Sequence, residues 1–224
     1  MSALILAEVL SAQQLTDIRS RAAELAWAPG TRTAGRQARA VKRNAQADLE
    51  SRAGKKLHAD LLAAIEAHSV FQAAARPKRI SRVLLSRTGE GGGYGAHTDN
   101  ALMSPGGGRM RSDLSFTLFL SDPETYEGGE LVLMGADGER EIKPAAGDLA
   151  LYPSGDIHRV AEVTAGERLA CVGWVESLVR RADQRAVLFD LATLQARLSE
   201  ESDPEARLLL EKTASNLLRM WAEV

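Results

Sequence analysis

The middle of the chain consists of short segments of alternating or mostly apolar residues separated by turn residues, and this pattern constrains the fold more than any other feature. It extends from about residue 79 to residue 177. At its start, residues 79–86 predict a β-strand, the glycine-rich run 89–93 interrupts it, and residues 94–99 continue in extended form. Many short strands with turns between them are typical of barrels and double-layered β-structures. We therefore expect a double-stranded β-helix, also called a jelly-roll.

The second half of this region repeats the pattern. Residues 148–152 predict a strand, residues 153–156 a turn, and residues 158–163 the next strand. A further turn is predicted at 164–167, and the mostly apolar strand 168–175 follows it. Residues beside such turns lie at strand ends, where binding residues are common.

Helices are predicted before the β-rich region. Ser11 and Gln14 form a capping box, which predicts a helix that extends to about Ala26. Residues 29–54 are polar and contain glycine and arginine, so we expect loop or short strand there. Residues 55–67 predict a second helix.

Beyond Leu178 the pattern becomes helical again, and Asp203 with Pro204 predicts the start of the last helix. That helix is predicted to be amphipathic from the spacing of Leu208, Leu209, Lys212, Leu217, Met220 and Trp221. We expect its apolar face to pack on the core, and a homodimer through this face is the alternative. The chain is thus expected to be mainly β with flanking helices (α+β). An N-terminal helical and loop region over 1–77 packs on a jelly-roll core over 78–178, and a C-terminal helical extension covers 179–224.

A His-x-Asp motif and a distant second histidine constrain the chemistry. His97 and Asp99 lie two positions apart in an extended segment, so their side chains point to the same side. His158 begins a later strand beside a predicted turn. Two imidazoles and one carboxylate can hold one face of an octahedral Fe(II) and leave the other face open. Although His-x-Asp alone is a weak signal, the set predicts an iron site.

Arg168 begins the otherwise apolar strand 168–175. A guanidinium in such a position needs a carboxylate partner, which its planar fork binds best through two hydrogen bonds. The other two histidines, His58 and His68, lie in a helix-like stretch whose leucines share one face. We expect structural or solvent-exposed roles for both.

Composition excludes several classes of protein. The chain has 224 residues, of which 45% are hydrophobic and 26% charged, as in an ordinary globular enzyme. A formal net charge of -2 gives no reason to expect nucleic acid as a partner. The first residues lack a basic start and include Glu8, so we expect neither a signal peptide nor a membrane span. The lone Cys171 is expected to pack in the core, in a reducing cytoplasm.

Basic residues cluster in two places, one at Arg32, Arg36, Arg39, Lys42 and Arg43 and the other at Arg109 and Arg111. We expect solvated loops, with recognition of an acidic substrate as the alternative. The glycines at 106–108 lack the Lys-Ser/Thr that follows a phosphate-binding loop, and a glycine-rich loop suits a lid over the metal.

Several motifs carry a family resemblance. They are Gly95–Ala101, Arg111–Pro123, Gly128–Leu131, Ala146–Ser154, His158–Val160, Gly166–Arg168 and Gly173–Ser177, with Thr33–Ala38 and Val41–Gln46 nearer the N-terminus. The run from about Lys78 to Ser177 resembles the Fe(II)/2-oxoglutarate-dependent dioxygenases of the prolyl/lysyl hydroxylase type. Nearly the whole chain resembles the bacterial PKHD-type hydroxylases.

The resemblance implies that His97, Asp99 and His158 bind iron and that Arg168 binds the distal carboxylate of 2-oxoglutarate. It implies a contact of Tyr94 with the same cosubstrate, with packing in the core as the alternative. Thr88 stands where relatives usually have tyrosine, so this part of the pocket wall is expected to be smaller or differently bonded. The implied reaction is hydroxylation of an unactivated C–H bond in an unidentified peptidyl residue, amino acid or small metabolite. It converts 2-oxoglutarate and O2 to succinate and CO2, with ascorbate as reductant.

Two other classes of protein stay open at this point. One is a catalytically silent jelly-roll that binds a metal or a 2-oxo acid in a sensory role, although degenerate members of the family usually lose a ligand. The other is a cupin-like isomerase or a sugar-binding jelly-roll, for which the spacing of His97, Asp99 and His158 would be coincidental.

Overall fold

The computed structural model describes residues 3–32, 40–104, 108–198 and 203–224. Its strands, in chain order, are β1 (Leu4–Leu6), β2 (Trp27–Pro29), β3 (Lys42–Arg43), β4 (Ala45–Ala47), β5 (Pro77–Ile80), β6 (Leu84–Gly89), β7 (Gly93–His97), β8 (Leu102–Met103), β9 (Met110–Arg111), β10 (Leu114–Phe119), β11 (Tyr126–Gly128), β12 (Leu131–Gly135), β13 (Gly138–Ile142), β14 (Leu149–Pro153), β15 (Ile157–Val160) and β16 (Val163–Ser177). The helices are α1 (Ala12–Ala23), α2 (Arg52–Ala67), α3 (Ser69–Ala75), α4 (Ala182–Arg197) and α5 (Pro204–Trp221). Short 3-10 turns lie at Gly30–Arg32 and Pro123–Thr125. None of the described helices is long and apolar enough to cross a membrane.

Two antiparallel sheets form the β core. The larger sheet has the strand order β1-β14-β10-β16-β6-β4-β2, and β5 and β11 also pair with β16. The smaller sheet has the order β13-β12-β15-β7-β3. Residues of both sheets line one cavity between them. This is the mainly β, jelly-roll architecture with flanking helices that the sequence predicted.

Strand β10 shows how the alternation of side chains divides the structure into a core and a cavity. Leu114, Phe116 and Leu118 belong to the main hydrophobic core, which they share with helices α1, α2 and α3. Ser115 and Thr117, at the positions between them, line the cavity, and Phe116 also borders it. Because successive side chains of a strand point to opposite faces, one short strand serves both purposes.

The N-terminal helices begin and end close to the predicted positions. Ser11 and Gln14 form the predicted capping box of α1, but the helix ends at Ala23 and not near Ala26. Helix α2 begins at Arg52, because the Ser51 hydroxyl accepts a hydrogen bond from the Gly54 amide and caps it. Helix α3 was not predicted.

Both of the remaining histidines have structural roles, as expected. The His68 side chain caps α3 by accepting a hydrogen bond from the Phe71 amide, and its other ring nitrogen contacts the Ala7 carbonyl. The His58 Nε2 atom accepts a hydrogen bond from the Val83 amide. Cys171 is fully buried in the main core, which confirms the prediction of core packing.

The prediction for the last helix was partly wrong. Asp203 caps α5 and Pro204 begins it, as expected. However, Leu208, Leu209 and Met220 are 67%, 61% and 72% exposed, and no described residue of the helix is buried. The physical reason is that α5 packs mainly on α4, while the chain after it contacts the segment before α4 through the Val179–Ala222 bridge and the hydrogen bond from the Glu223 amide to the Leu178 carbonyl.

Two strand predictions also need correction. The predicted strand 79–86 is interrupted, because β5 ends at Ile80 and β6 begins at Leu84. The predicted turn at 164–167 is part of the long strand β16, and the chain reverses after Val160 instead. Turn-like residues stay in the strand because β11 pairs with this part of β16, and Gly166 adopts a φ of 76° against the Thr125 and Tyr126 backbone.

Candidate metal centre

Three side chains that the sequence singled out meet between β7 and β15. His97 ends β7, His158 lies on β15, and the two are directly paired in the antiparallel register. Asp99 follows two residues after β7, where its amide donates a hydrogen bond to the Ser154 carbonyl. One ligand atom from each of the three side chains lies within 4.8 Å of the others. Strand pairing therefore brings His158 together with His97 and Asp99, which lie 61 and 59 positions before it in the chain.

The same local hydrogen bond orients both imidazoles. His97 Nδ1 lies 2.8 Å from the Gly95 carbonyl oxygen, and His158 Nδ1 lies 2.9 Å from the Asp156 carbonyl oxygen. A carbonyl oxygen can only accept, so each Nδ1 carries the proton and each Nε2 keeps a free lone pair. Imidazoles that bind metals are commonly fixed by such a bond from the other ring nitrogen.

One serine hydroxyl holds the carboxylate, and a second serine hydroxyl lies beside the first. Ser115 Oγ donates a hydrogen bond of 2.6 Å to Asp99 Oδ2, and it lies 2.8 Å from Ser154 Oγ. Asp99 Oδ2 also lies 3.6 Å from His158 Nε2. These are the two atoms that would approach a common ion. Sequence reasoning missed both serines, because nothing in the motif spacing points to them.

Aromatic rings surround the two imidazoles. The Tyr94 ring stacks on His97 at a centroid distance of 3.6 Å, and Tyr152 packs edge-on against His158 at 5.1 Å. Burial lowers the pKa of His97, and the neighbouring His158 lowers it further. Burial and the nearby Asp99 raise the pKa of Tyr94 to about 12. The site thus favours a neutral imidazole and a neutral phenol, and a neutral imidazole is the form that binds a metal.

Arg168 lies deeper in the same cavity, on β16, opposite Thr88 of β6. Its side chain is 2% exposed, and its Nε and Nη2 atoms have no hydrogen-bond partner among the described residues. Its guanidinium carbon lies 5.3 Å from the centroid of the Phe119 ring. Burial lowers the pKa of Arg168, which reflects the cost of a buried cation. Donors left unpaired in this way fit an anion that enters the cavity.

The cavity that joins Arg168 to the three candidate ligands has a volume of about 680 Å³. Such a volume is within the range of small-molecule and cofactor sites. Thr88 is buried in the cavity wall directly across from Arg168, at the position where the sequence predicted a smaller or differently bonded wall. Its side chain is shorter than that of a tyrosine and takes up less of the cavity wall.

The basic residues fall into different environments. Lys42 lines the cavity, whereas Arg43 is exposed on the adjacent surface. Arg111 forms ion pairs with Asp113 and Glu223, so its role is structural and the expectation of a freely solvated loop was wrong for it. Arg109 is exposed. The predictions for Arg36, Arg39, the motif Thr33–Ala38 and most of the glycine-rich lid fall outside the described residues.

A jelly-roll with two histidines, one aspartate and a buried arginine around one cavity defines the class of Fe(II)/2-oxoglutarate-dependent oxygenases. Residues 83–176 match the family model of the 2OG-Fe(II) oxygenase superfamily. The chain is 46% identical over 223 residues to a PKHD-type hydroxylase of Hyphomonas neptunium, covering 99% of this chain and 100% of that one. It is 50% identical over 219 residues to one of Maricaulis maris, covering 97% and 98%. The chain belongs to the PKHD-type hydroxylase family.

Solved structures agree in fold. A prolyl-4-hydroxylase of Pseudomonas putida aligns with a TM-score of 0.52 at 22% identity, over 79% of this chain and 92% of that one. The viral collagen prolyl hydroxylase of Paramecium Bursaria Chlorella virus-1, solved as a 2-oxoglutarate complex, aligns with a TM-score of 0.53 at 13% identity, over 79% and 96%. The family model and the PKHD-type relatives confirm the predicted family and the predicted dioxygenase class, and they exclude the cupin-like isomerase and the sugar-binding jelly-roll.

Proposed function

We propose that His97, Asp99 and His158 bind Fe(II) and that Arg168 binds the distal carboxylate of 2-oxoglutarate. The observation that carries this proposal is the convergence of three ligand atoms within 4.8 Å, beside a buried guanidinium with unpaired donors. Three protein ligands leave three coordination positions for a 2-oxo acid and dioxygen. The complex of the viral neighbour with 2-oxoglutarate supports this cosubstrate.

The protein then hydroxylates an unactivated C–H bond of its substrate and converts 2-oxoglutarate and O2 to succinate and CO2. Bound iron would supply the oxidising chemistry. The chain supplies fixed Nε2 lone pairs through the Gly95 and Asp156 carbonyls and a carboxylate held by Ser115. The related halogenases have a small residue in place of the carboxylate, so the presence of Asp99 favours hydroxylation.

Two further parts of the site belong to this proposal. The Tyr94 phenol lines the cavity and contacts the cosubstrate, while its ring holds His97 in place. Ascorbate serves as the reductant that restores Fe(II), in a reducing cytoplasm where Cys171 stays a thiol. Measuring succinate over many turnovers with and without ascorbate tests the reductant. Repeated turnover that is independent of ascorbate would contradict this role.

Succinate formation tests the whole assignment. Protein reconstituted anaerobically with Fe(II) and 2-oxoglutarate is exposed to oxygen without added substrate. The Asp99→Ala variant is treated in the same way, as is the control variant Asp137→Ala. The Asp137 side chain is exposed in the turn between β12 and β13. We expect slow succinate release from the wild type and from Asp137→Ala, and none from Asp99→Ala. Bound iron and 2-oxoglutarate without turnover, even with a panel of amino acids and peptides, would favour the catalytically silent, sensory alternative.

A further inference from the structure

Lys42 is a cation that lines the cavity. Burial lowers its pKa, and the Asp99 carboxylate, which lies beyond ion-pair distance, opposes that shift. Lys42 lies on β3 directly across from Tyr94 of β7, and its Nζ atom is 5.1 Å from the centroid of the Tyr94 ring. It forms no ion pair with any of the described residues. A half-buried ammonium held only against an aromatic face gains little, since such a contact contributes on the order of 1 kcal/mol. The residue is therefore poorly explained by the fold alone.

The charges in the cavity show that Lys42 stays uncompensated when the site is loaded. Among the described residues that line the cavity, Lys42 and Arg168 are the cations and Asp99 is the acid. Fe(II) adds two positive charges, and 2-oxoglutarate brings two negative ones. The cosubstrate and Asp99 together then offset the iron and Arg168, and one positive charge is left. That charge is the ammonium of Lys42.

The position of Lys42 suits a group that reacts at the metal. Lys42 and His97 both contact the Tyr94 ring: Lys42 Nζ lies 5.1 Å from its centroid, and the centroid of the His97 imidazole lies 3.6 Å from it. A carboxylate hydrogen-bonded to Nζ would lie about 2.8 Å from it. Met103 and Trp174 line the same cavity and offer apolar surface for the rest of a small molecule.

We propose that Lys42 binds a carboxylate of the substrate, so that the protein hydroxylates a small organic acid at an aliphatic carbon. This inference rests on the proposed function. A singly charged carboxylate leaves the loaded cavity neutral, whereas a doubly charged phosphate would leave it negative, and burying excess charge is costly. The carboxylate belongs to the substrate and not to 2-oxoglutarate, because Arg168 already offers the cosubstrate a buried guanidinium with unpaired donors.

Binding of matched acids and amides tests the proposal without turnover. The full chain is loaded with Ni(II) and 2-oxoglutarate, which occupy the metal centre and Arg168. Hexanoate is then compared with hexanamide, and 3-phenylpropanoate with 3-phenylpropanamide, by ligand-observed NMR titration. We expect the wild type to bind at least one acid about five- to tenfold more tightly than its amide, as for one charge-assisted hydrogen bond in a partly open site. Absence of any such preference in the wild type overturns the proposal.

Two variants locate the origin of the preference. Lys42→Met keeps most of the side-chain volume and should lose the preference, whereas Arg43→Met removes a neighbouring exposed charge and should keep it. A preference that persists in Lys42→Met would mean that the acids bind the metal or another group, and the proposal fails. A loss of 2-oxoglutarate affinity in Lys42→Met would assign the residue to the cosubstrate, which also overturns it. Failure of the wild type to bind Ni(II) and 2-oxoglutarate would instead contradict the proposed function itself.

Discussion

Replacing Ser115 with alanine should weaken metal binding, although this residue is not a proposed ligand. Its hydroxyl donates a 2.6 Å hydrogen bond to Asp99 Oδ2, the carboxylate oxygen nearest to His158 Nε2. The side chain is 1% exposed, so water cannot easily replace the hydroxyl. Without it, the carboxylate can rotate away from the position that faces the two imidazoles.

Two effects of this substitution oppose each other, and their magnitudes decide the sign. Losing the donor leaves more negative charge on Oδ2, which would strengthen the bond to a metal. Losing the orientation of a ligand typically lowers metal affinity about 10- to 100-fold, or about 1.4–2.7 kcal/mol. Orientation should dominate, because a metal ion replaces most of the electrostatic stabilisation that the hydroxyl gave the free carboxylate. We therefore expect weaker binding in this range.

Calorimetric titration with Ni(II) would measure the affinity, and urea unfolding would measure the stability of the metal-free protein. Ser177→Ala is a matched control, because Ser177 is fully buried and, among the described residues, its hydroxyl bonds to the Arg76 carbonyl and the Val179 amide, far from the three candidate ligands in sequence. Both variants should lose about 1–3 kcal/mol of unfolding free energy, but only Ser115→Ala should lose metal affinity. Unchanged or tighter Ni(II) binding by Ser115→Ala would refute the argument from orientation.

Three further predictions follow from the site and the core. His97→Ala and His158→Ala should each abolish tight Ni(II) binding in the same titration, because two protein ligands compete poorly with water; wild-type affinity in either variant would remove that histidine from the site. Arg168→Ala should keep Ni(II) affinity but weaken 2-oxoglutarate binding by about 2–5 kcal/mol, since a buried carboxylate loses its cation; unchanged affinity would place the carboxylate elsewhere. The unfolding free energy of the metal-free protein should fall as the pH falls below about 6.5, because burial lowers the folded-state pKa of His58 and of His97 and the unfolded chain then binds more protons. His58→Gln should remove the His58 contribution and make this dependence less steep in urea unfolding at several pH values, and an equally steep dependence would contradict the role of His58.

The candidate ligands could be predicted from the sequence because their positions follow local rules. His97 and Asp99 are two residues apart next to a glycine-rich break, and His158 follows a Pro-Ser-Gly-Asp turn. Such features can be recognised in the sequence, because the alternation of side chains and the turn residues depend on a few consecutive residues. The helix starts at Ser11 and Asp203 were predictable for the same reason.

The partners of these ligands could not be predicted, because each depends on a pairing between distant strands. Ser115 reaches Asp99 because β10 and β14 are adjacent, with Ser115 directly opposite Tyr152. Lys42 faces the cavity because β3 pairs with β7. The predicted turn at 164–167 was wrong for a related reason: pairing with β11 kept turn-like residues extended. Pairing with a distant strand overrides the local turn propensity of a segment where it supplies the backbone hydrogen bonds.

Gly95 connects the metal centre with the proposed substrate cation. Its carbonyl accepts the hydrogen bond that fixes His97 Nδ1, and its amide donates to the Val41 carbonyl of the neighbouring segment. A Cβ atom on residue 95 would lie 2.8 Å from the Val41 Cβ atom, so only glycine allows the two backbones to approach this closely. That approach sets the register that places Lys42 opposite Tyr94. Because one residue without a side chain supports both the orientation of a proposed iron ligand and the position of Lys42, the pairing of β3 with β7 would position a substrate held by Lys42 relative to the proposed metal site.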